Sequence, residues 1–98
     1  MALSNKDLDL VLPRLYTQEH EPDPIAQVRF HDSLGSWSWY AIEFDGEDLF
    51  FGLVLGFERE LGYFTLSEFR EVNRAAGFDR IERDAHFQPT RLSLIQRA

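Results

Sequence analysis

The sequence predicts an α+β fold: an antiparallel β-meander of four to five strands, with a helix packed on one face and short helices at the termini. Three observations carry this expectation. From Ile25 onward apolar residues recur at every second position, as in a strand with one buried face. Asp45-Gly46 stands between two apolar runs as a hairpin signal. From Thr65 to Gly77 the period lengthens to that of a helix, with a start and a stop signal at its ends.

Taken in order, residues 4–11 (SNKDLDLV) form a short helix capped by Ser4 or Asn5, with Asp7 in the first turn, where the helix dipole favours an acid. Pro13 stops it, because the residue before a proline is pushed out of the helical region. Residues 17–24 (TQEHEPDP) are a polar loop. Ala26, Val28 and Phe30 then alternate with Gln27, Arg29 and His31 in a first strand. A turn at HDSLGS leads to a second strand at 37–44, the Asp-Gly turn to a third at about 49–57, and a turn at 58–60 to a short fourth, LGYF. In TLSEFREVNRAAGF, Thr65 and Glu68 match a capping box, with Ser67 as a rival cap, and Leu66, Phe69, Val72 and Ala76 share one helical face. Gly77 is the expected stop. Residues 81–87 read as a last strand, and 89–98 as a tail with helical character.

The stretch SWSWYAIEFDGEDLFFG holds both tryptophans two residues apart. With Asp45-Gly46 as a two-residue turn, Phe44 faces Glu47, Tyr40 faces Phe51 and Trp39 faces Gly52. A four-residue turn keeps the same faces and sets Trp37 across from Gly56. In both registers a tryptophan covers a strand glycine, which has no side chain of its own to pack. Tyr40, Ile42 and Phe44 then form one apolar face. Trp37 and Trp39 share the other with Glu43 and Asp48, an aromatic and acidic surface suited to a positively charged partner.

Ninety-eight residues are enough for one core, so the chain is read as one domain spanning 1–98. Its net charge of −7 opposes nonspecific nucleic-acid binding, which rests on neutralising phosphates with Lys and Arg. Lys6 is the one lysine, and the nine arginines are scattered. The acidic balance fits a protein partner, and a basic one in particular; a homodimer through an unprotected sheet edge is compatible with it. No cysteine is present, which excludes disulfides, thiol catalysis and thiolate zinc sites. No apolar run is long enough for a membrane span, and MALSNKDLDL lacks the features of a signal peptide, so no membrane association and a cytoplasmic location are expected.

Chemistry-bearing motifs are sparse. His20, His31 and His86 never fall at metal-ligand spacings, and no metal or cofactor is expected. Asp84 and His86 are two apart, on one face if the segment is a strand, and make a second candidate site as ligands or as an acid-oriented base. Glu43, Asp45, Glu47 and Asp48 cluster at the hairpin turn without the spacing of a calcium loop. Glu58 and Glu60 flank Arg59, and paired carboxylates perform acid–base work only in a cleft that splits their pKa values. No nucleophile motif or phosphate-binding loop occurs, so no catalytic residue is assigned.

The run WSWYAIEFDGEDLFFGLVLGFERELGYFTLSEF, the following IERDAHFQPTRLS and the upstream LVLPRLYTQE resemble the bacterial family of domains of unknown function numbered 2958. The tryptophan pair, FDGED, FFGLV, ELGYF and IERD occur in the family's order over nearly the whole chain. The resemblance implies accessory proteins of bacterial genomes, plasmids and integrative elements, and with them an anti-defence or plasmid-maintenance role. It transfers no catalytic residue. Two functions are thus expected in turn: a non-catalytic protein-binding module, or a small hydrolase or nucleic-acid-processing enzyme in which Glu43, Glu58, Asp84 and His86 converge.

Overall fold

The computed structural model describes residues 5–95 of the chain. Helix α1, Asn5–Val11, precedes strands β1, Ile25–Ala26; β2, Val28–Asp32; β3, Ser38–Phe44; β4, Leu49–Leu55; and β5, Arg59–Thr65. Helix α2, Leu66–Ala76, follows, then β6, Ile81–Arg83, β7, Thr90–Arg91, and a 3-10 turn at Leu92–Leu94. The expected Ser4 cap and the end of the tail at 96–98 lie outside the described residues. No described helix is long and apolar enough to cross a membrane.

Five strands form an antiparallel sheet in the order β5-β4-β3-β2-β6, and β1 pairs with β7 in a separate two-stranded sheet. The α+β fold with a meander-like sheet is therefore present: β2 to β5 follow one another, and β6 closes the far edge. Helix α2 makes that closure possible. It must carry the chain over four strand spacings, about 19 Å, and its eleven residues cover about 16 Å of that.

Helix α2 starts and stops where the sequence places it. The Thr65 hydroxyl oxygen accepts from the Glu68 N–H at 3.1 Å, and Gly77 takes a left-handed φ of 82°, its N–H donating to the Asn73 and Arg74 carbonyls. The apolar face is buried only in its first half: Leu66 and Phe69 enter the core, whereas Val72 and Ala76 are exposed.

Two expected strands are interrupted. The chain breaks at Gln27, whose N–H donates to the Ala41 carbonyl at 2.9 Å, so Ala26 and Val28 enter different cores. The strand expected at 81–87 ends at Arg83, where the next residues turn instead of pairing.

The β3–β4 hairpin differs from expectation in one residue with large effects. Trp39 pairs with Val54, Tyr40 with Leu53 and Ala41 with Gly52, which is the register of the four-residue turn. Beyond Ala41 the register shifts, so that Glu43 faces Phe51 and Phe44 faces Phe50. Ile42 is thus the extra residue of a β-bulge, and a bulge exchanges the faces of everything after it. Phe44 joins the helix side with Ala41 and Trp39, and Glu43 turns to the opposite side with Ile42 and Phe51. The grouping of Tyr40, Ile42 and Phe44 on one face, and of Glu43 with the tryptophans on the other, is corrected accordingly.

Two cores result. On the helix side Val28, Phe30, Phe44, Phe50, Phe64 and Phe69 pack with Leu8 and Leu12 of the N-terminal segment. On the other side Tyr40, Ile42, Leu53 and Leu55 are covered by Leu92 and Ile95. Arg59 fastens this cover, donating to the Leu92 carbonyl at 2.8 Å and to that of Ile95.

Gly52 and Gly62 are cross-strand partners with opposite requirements. A β-carbon at position 52 would lie 2.0 Å from the Tyr40 carbonyl oxygen, whereas one at position 62 would meet nothing within 4 Å. Gly52→Ala is expected to lower stability by about 3 kcal/mol in urea unfolding, and Gly62→Ala to raise it by about 0.5 kcal/mol.

Candidate functional site

The turns β2–β3 and β4–β5 meet at one end of the sheet, and there the aromatic residues leave the core. Trp39 packs edge-on against Phe69 of α2 at 4.9 Å between centroids, and Trp37 lies 5.9 Å from Trp39. Phe57 meets Trp37 edge-on at 5.3 Å and is 93 % exposed. Trp37 covers Gly56, where a β-carbon would meet the indole at 2.6 Å, so the expected tryptophan over a glycine is found at this pair. Trp39, half-buried, serves the core. Glu58 follows Phe57 in the turn, and Glu60 shares a row with Val54 and Trp39 across three strands.

The acids expected beside the tryptophans are elsewhere. Glu43 is only 4 % exposed. Its two carboxylate oxygens accept the N–H groups of Tyr16 at 3.0 Å and Gln18 at 2.7 Å. That ties down a loop in which Tyr16 holds a left-handed φ of 70°. Asp48 sits at the start of α2, accepting the Ser67 N–H at 2.7 Å and its hydroxyl at 2.8 Å. Both lie at the end of β3 remote from Trp37, about 20 Å along the strand.

Asp84 and His86 meet through backbone rather than side chain: an Asp84 oxygen accepts the His86 N–H at 3.0 Å. The other oxygen accepts from Arg29 at 2.9 Å, and Arg29 also donates to the Ser38 hydroxyl oxygen at 2.8 Å and lies 5.8 Å over the Tyr40 ring. Arg29, His31, Ser38 and Tyr40 line a cleft of about 730 Å³ on the helix-free side, bordered by Trp37. Beside them Glu82 approaches His31 at 3.7 Å. His86 itself is exposed.

The residues of the enzyme reading therefore do not share one cleft. Glu43 and Glu58 stand at opposite ends of β4, about 20 Å apart, and Asp84 lies at the β2–β6 edge with Arg29 as its ion partner. Among the described residues no three His, Asp or Glu side chains are placed to hold a metal ion. Phe57 was the residue most open to a closer reading of the sequence, since a large apolar side chain stands in a turn directly before Glu58, Arg59 and Glu60. The Arg29–Asp84 pair, separated by 55 residues, leaves no such local trace.

Among the described residues four aspartate carboxyls are held below the ordinary range, and for Asp23 hydrogen bonds from the Ser93 hydroxyl and N–H do so. For Asp32, hydrogen bonds from Arg80 outweigh burial. For Asp45 and Asp84, burial works upward, but it is overcome by N–H donors and an arginine: Glu47, Asp48, Leu49 and Arg14 for Asp45, and His86 and Arg29 for Asp84. Groups with a depressed folded pKa add stability that is present above their unfolded pKa, near 3.9, and is lost as pH falls through the folded value. Urea midpoints are thus expected to fall between pH 6 and pH 3. Asp32→Asn/Asp84→Asn should be less stable at pH 7 with a shallower acid dependence; an unchanged slope would mean that other carboxylates set the loss of stability in acid.

No curated protein and no solved structure gives a significant match to the chain. The family model described as protein of unknown function (DUF2958) matches residues 5–97. That span takes in the aromatic end, the bulged hairpin and the Arg29–Asp84 edge alike, and the chain belongs to this family.

Proposed function

We propose that the protein is a small non-catalytic binding module that engages a basic protein partner through the aromatic end built by Trp37 and Phe57. The observation that carries this reading is the exposure of Phe57, 93 %, on a ring that meets Trp37 edge-on. An isolated exposed phenylalanine is ordinary, but one that meets Trp37 at the end of a ring series reaching the core adds to a continuous aromatic surface. Leu34, also exposed, extends the apolar surface from the neighbouring turn.

The partner's chemistry follows from what surrounds the rings. Glu58 and Glu60 follow Phe57 at the turn and the start of β5, and the whole chain carries −7. An arginine can stack on an aromatic face and pair with a carboxylate at once. A nucleic-acid-binding surface of another protein has this character, in keeping with the anti-defence role implied by the family resemblance. The separation of Glu43, Glu58 and Asp84 supports the absence of catalysis.

A short arginine-rich peptide, titrated while amide shifts are followed by NMR, tests the reading. Shifts should centre on residues 34, 37 and 57–60, and affinity should fall steeply as salt rises from about 0.05 to 0.5 M. Phe57→Ser should weaken binding roughly 10-fold while leaving thermal stability unchanged. Equal binding by wild type and Phe57→Ser, with shifts spread over all acidic surfaces, would overturn it.

A further inference from the structure

The bulge creates a second concavity, far from the aromatic end. Between the loop at 16–24 and strands β4 and β5 lies a cleft of about 370 Å³. Three rings border it: Tyr16, Phe51 and Tyr63. Phe51 and Tyr63 pack at 5.1 Å between centroids, and the neighbouring Tyr16 hydroxyl holds the Tyr63 phenol above its ordinary pKa. Tyr16 is 61 % and Tyr63 54 % exposed, so both rings present faces to solvent. Ile42 and Leu92 form an apolar floor.

Its charge has one sign. Glu19, Glu21 and the buried Glu43 contribute carboxylates, and no Lys, Arg or His lines the cleft. Basic side chains stand at its margin: Arg59 donates to the carbonyl of the floor residue Leu92 at 2.8 Å, Arg91 lies 3.9 Å from Glu21, and the exposed His20 imidazole lies 3.5 Å from Glu19. Electron-rich ring faces, an apolar floor and nearby carboxylates are the combination that takes up a cation with an apolar shell, whose weak hydration makes its transfer from water inexpensive. A lone acidic patch would favour any cation, and a bare apolar groove any hydrocarbon. Here both features meet in one cleft.

The geometry points to this cleft as a binding site for a small organic cation of the alkylated ammonium class. The site is independent of the aromatic end at Trp37 and Phe57. The Glu43 carboxylate acts as a positioning group: by holding the N–H groups of Tyr16 and Gln18 it fixes the loop that carries the Tyr16 ring.

Choline and its neutral isostere 3,3-dimethyl-1-butanol are the probes, titrated into the whole chain with amide shifts followed by NMR. Choline should shift residues 16–19, 51 and 61–63 and bind about 10-fold more tightly than the alcohol. Tyr63→Leu, at a half-exposed position, should reduce choline binding about 10-fold. Glu19→Gln/Glu21→Gln should reduce it several-fold with a lower salt dependence, and Phe57→Ser should leave it unchanged. Equal affinity for choline and the alcohol would overturn the assignment and leave an apolar groove. Choline binding that survives Tyr63→Leu would overturn it in favour of diffuse attraction to acidic surface.

Discussion

A β-carbon on residue 52 would collide with the Tyr40 carbonyl oxygen at 2.0 Å, and that single steric constraint shapes the two faces of the molecule. Glycine at this point allows β3 to take in one extra residue, Ile42, against β4. The side chains beyond the bulge exchange faces. Phe44 then stacks on Phe50 at 4.5 Å and completes the helix-side core, while Glu43 is delivered to the other side, where it organises the loop at 16–18. Without the bulge a carboxylate would be directed under α2 and a phenylalanine into the cleft. A buried charge without partners is far more costly than a strand irregularity.

The many acids have a shared structural use. Asp23 accepts the Ser93 N–H and hydroxyl, Asp45 three successive N–H groups of its own turn, and Asp48 the start of α2. Each replaces a missing backbone acceptor at a turn or helix end. In a chain of 98 residues with seven more negative than positive groups, a good part of the acidity therefore fixes loops and leaves a smaller share facing solvent for recognition.

The fold class was legible because it rests on periodicity: the strands, the Thr65 cap and the Gly77 stop all come from local rules. The tryptophan–glycine pairing was legible in part, at Trp37 and Gly56. The bulge was not, since alternation carries no mark of an inserted residue, and Gly52 looked like a partner for Trp39 rather than for a carbonyl. The error propagated to Glu43, whose face depends on counting through Ile42. Asp48 could be read as a hairpin acid from its neighbours, but its role at α2 needs Ser67, brought up by the intervening strand β5. Likewise Asp84 joins Arg29 only once β6 has returned to β2, a pairing that follows from topology and not from any nearby residue.

The placement of the two indoles has an optical consequence. They are the chain's only tryptophans, and their rings lie 5.9 Å apart at an angle of 39°. At that distance and tilt their transitions couple, so circular dichroism would carry an exciton signature of this one contact. All indole emission likewise arises where the packed interior gives way to the exposed ring of Phe57. The protein carries its own spectroscopic gauge of that junction, without the need for an attached label.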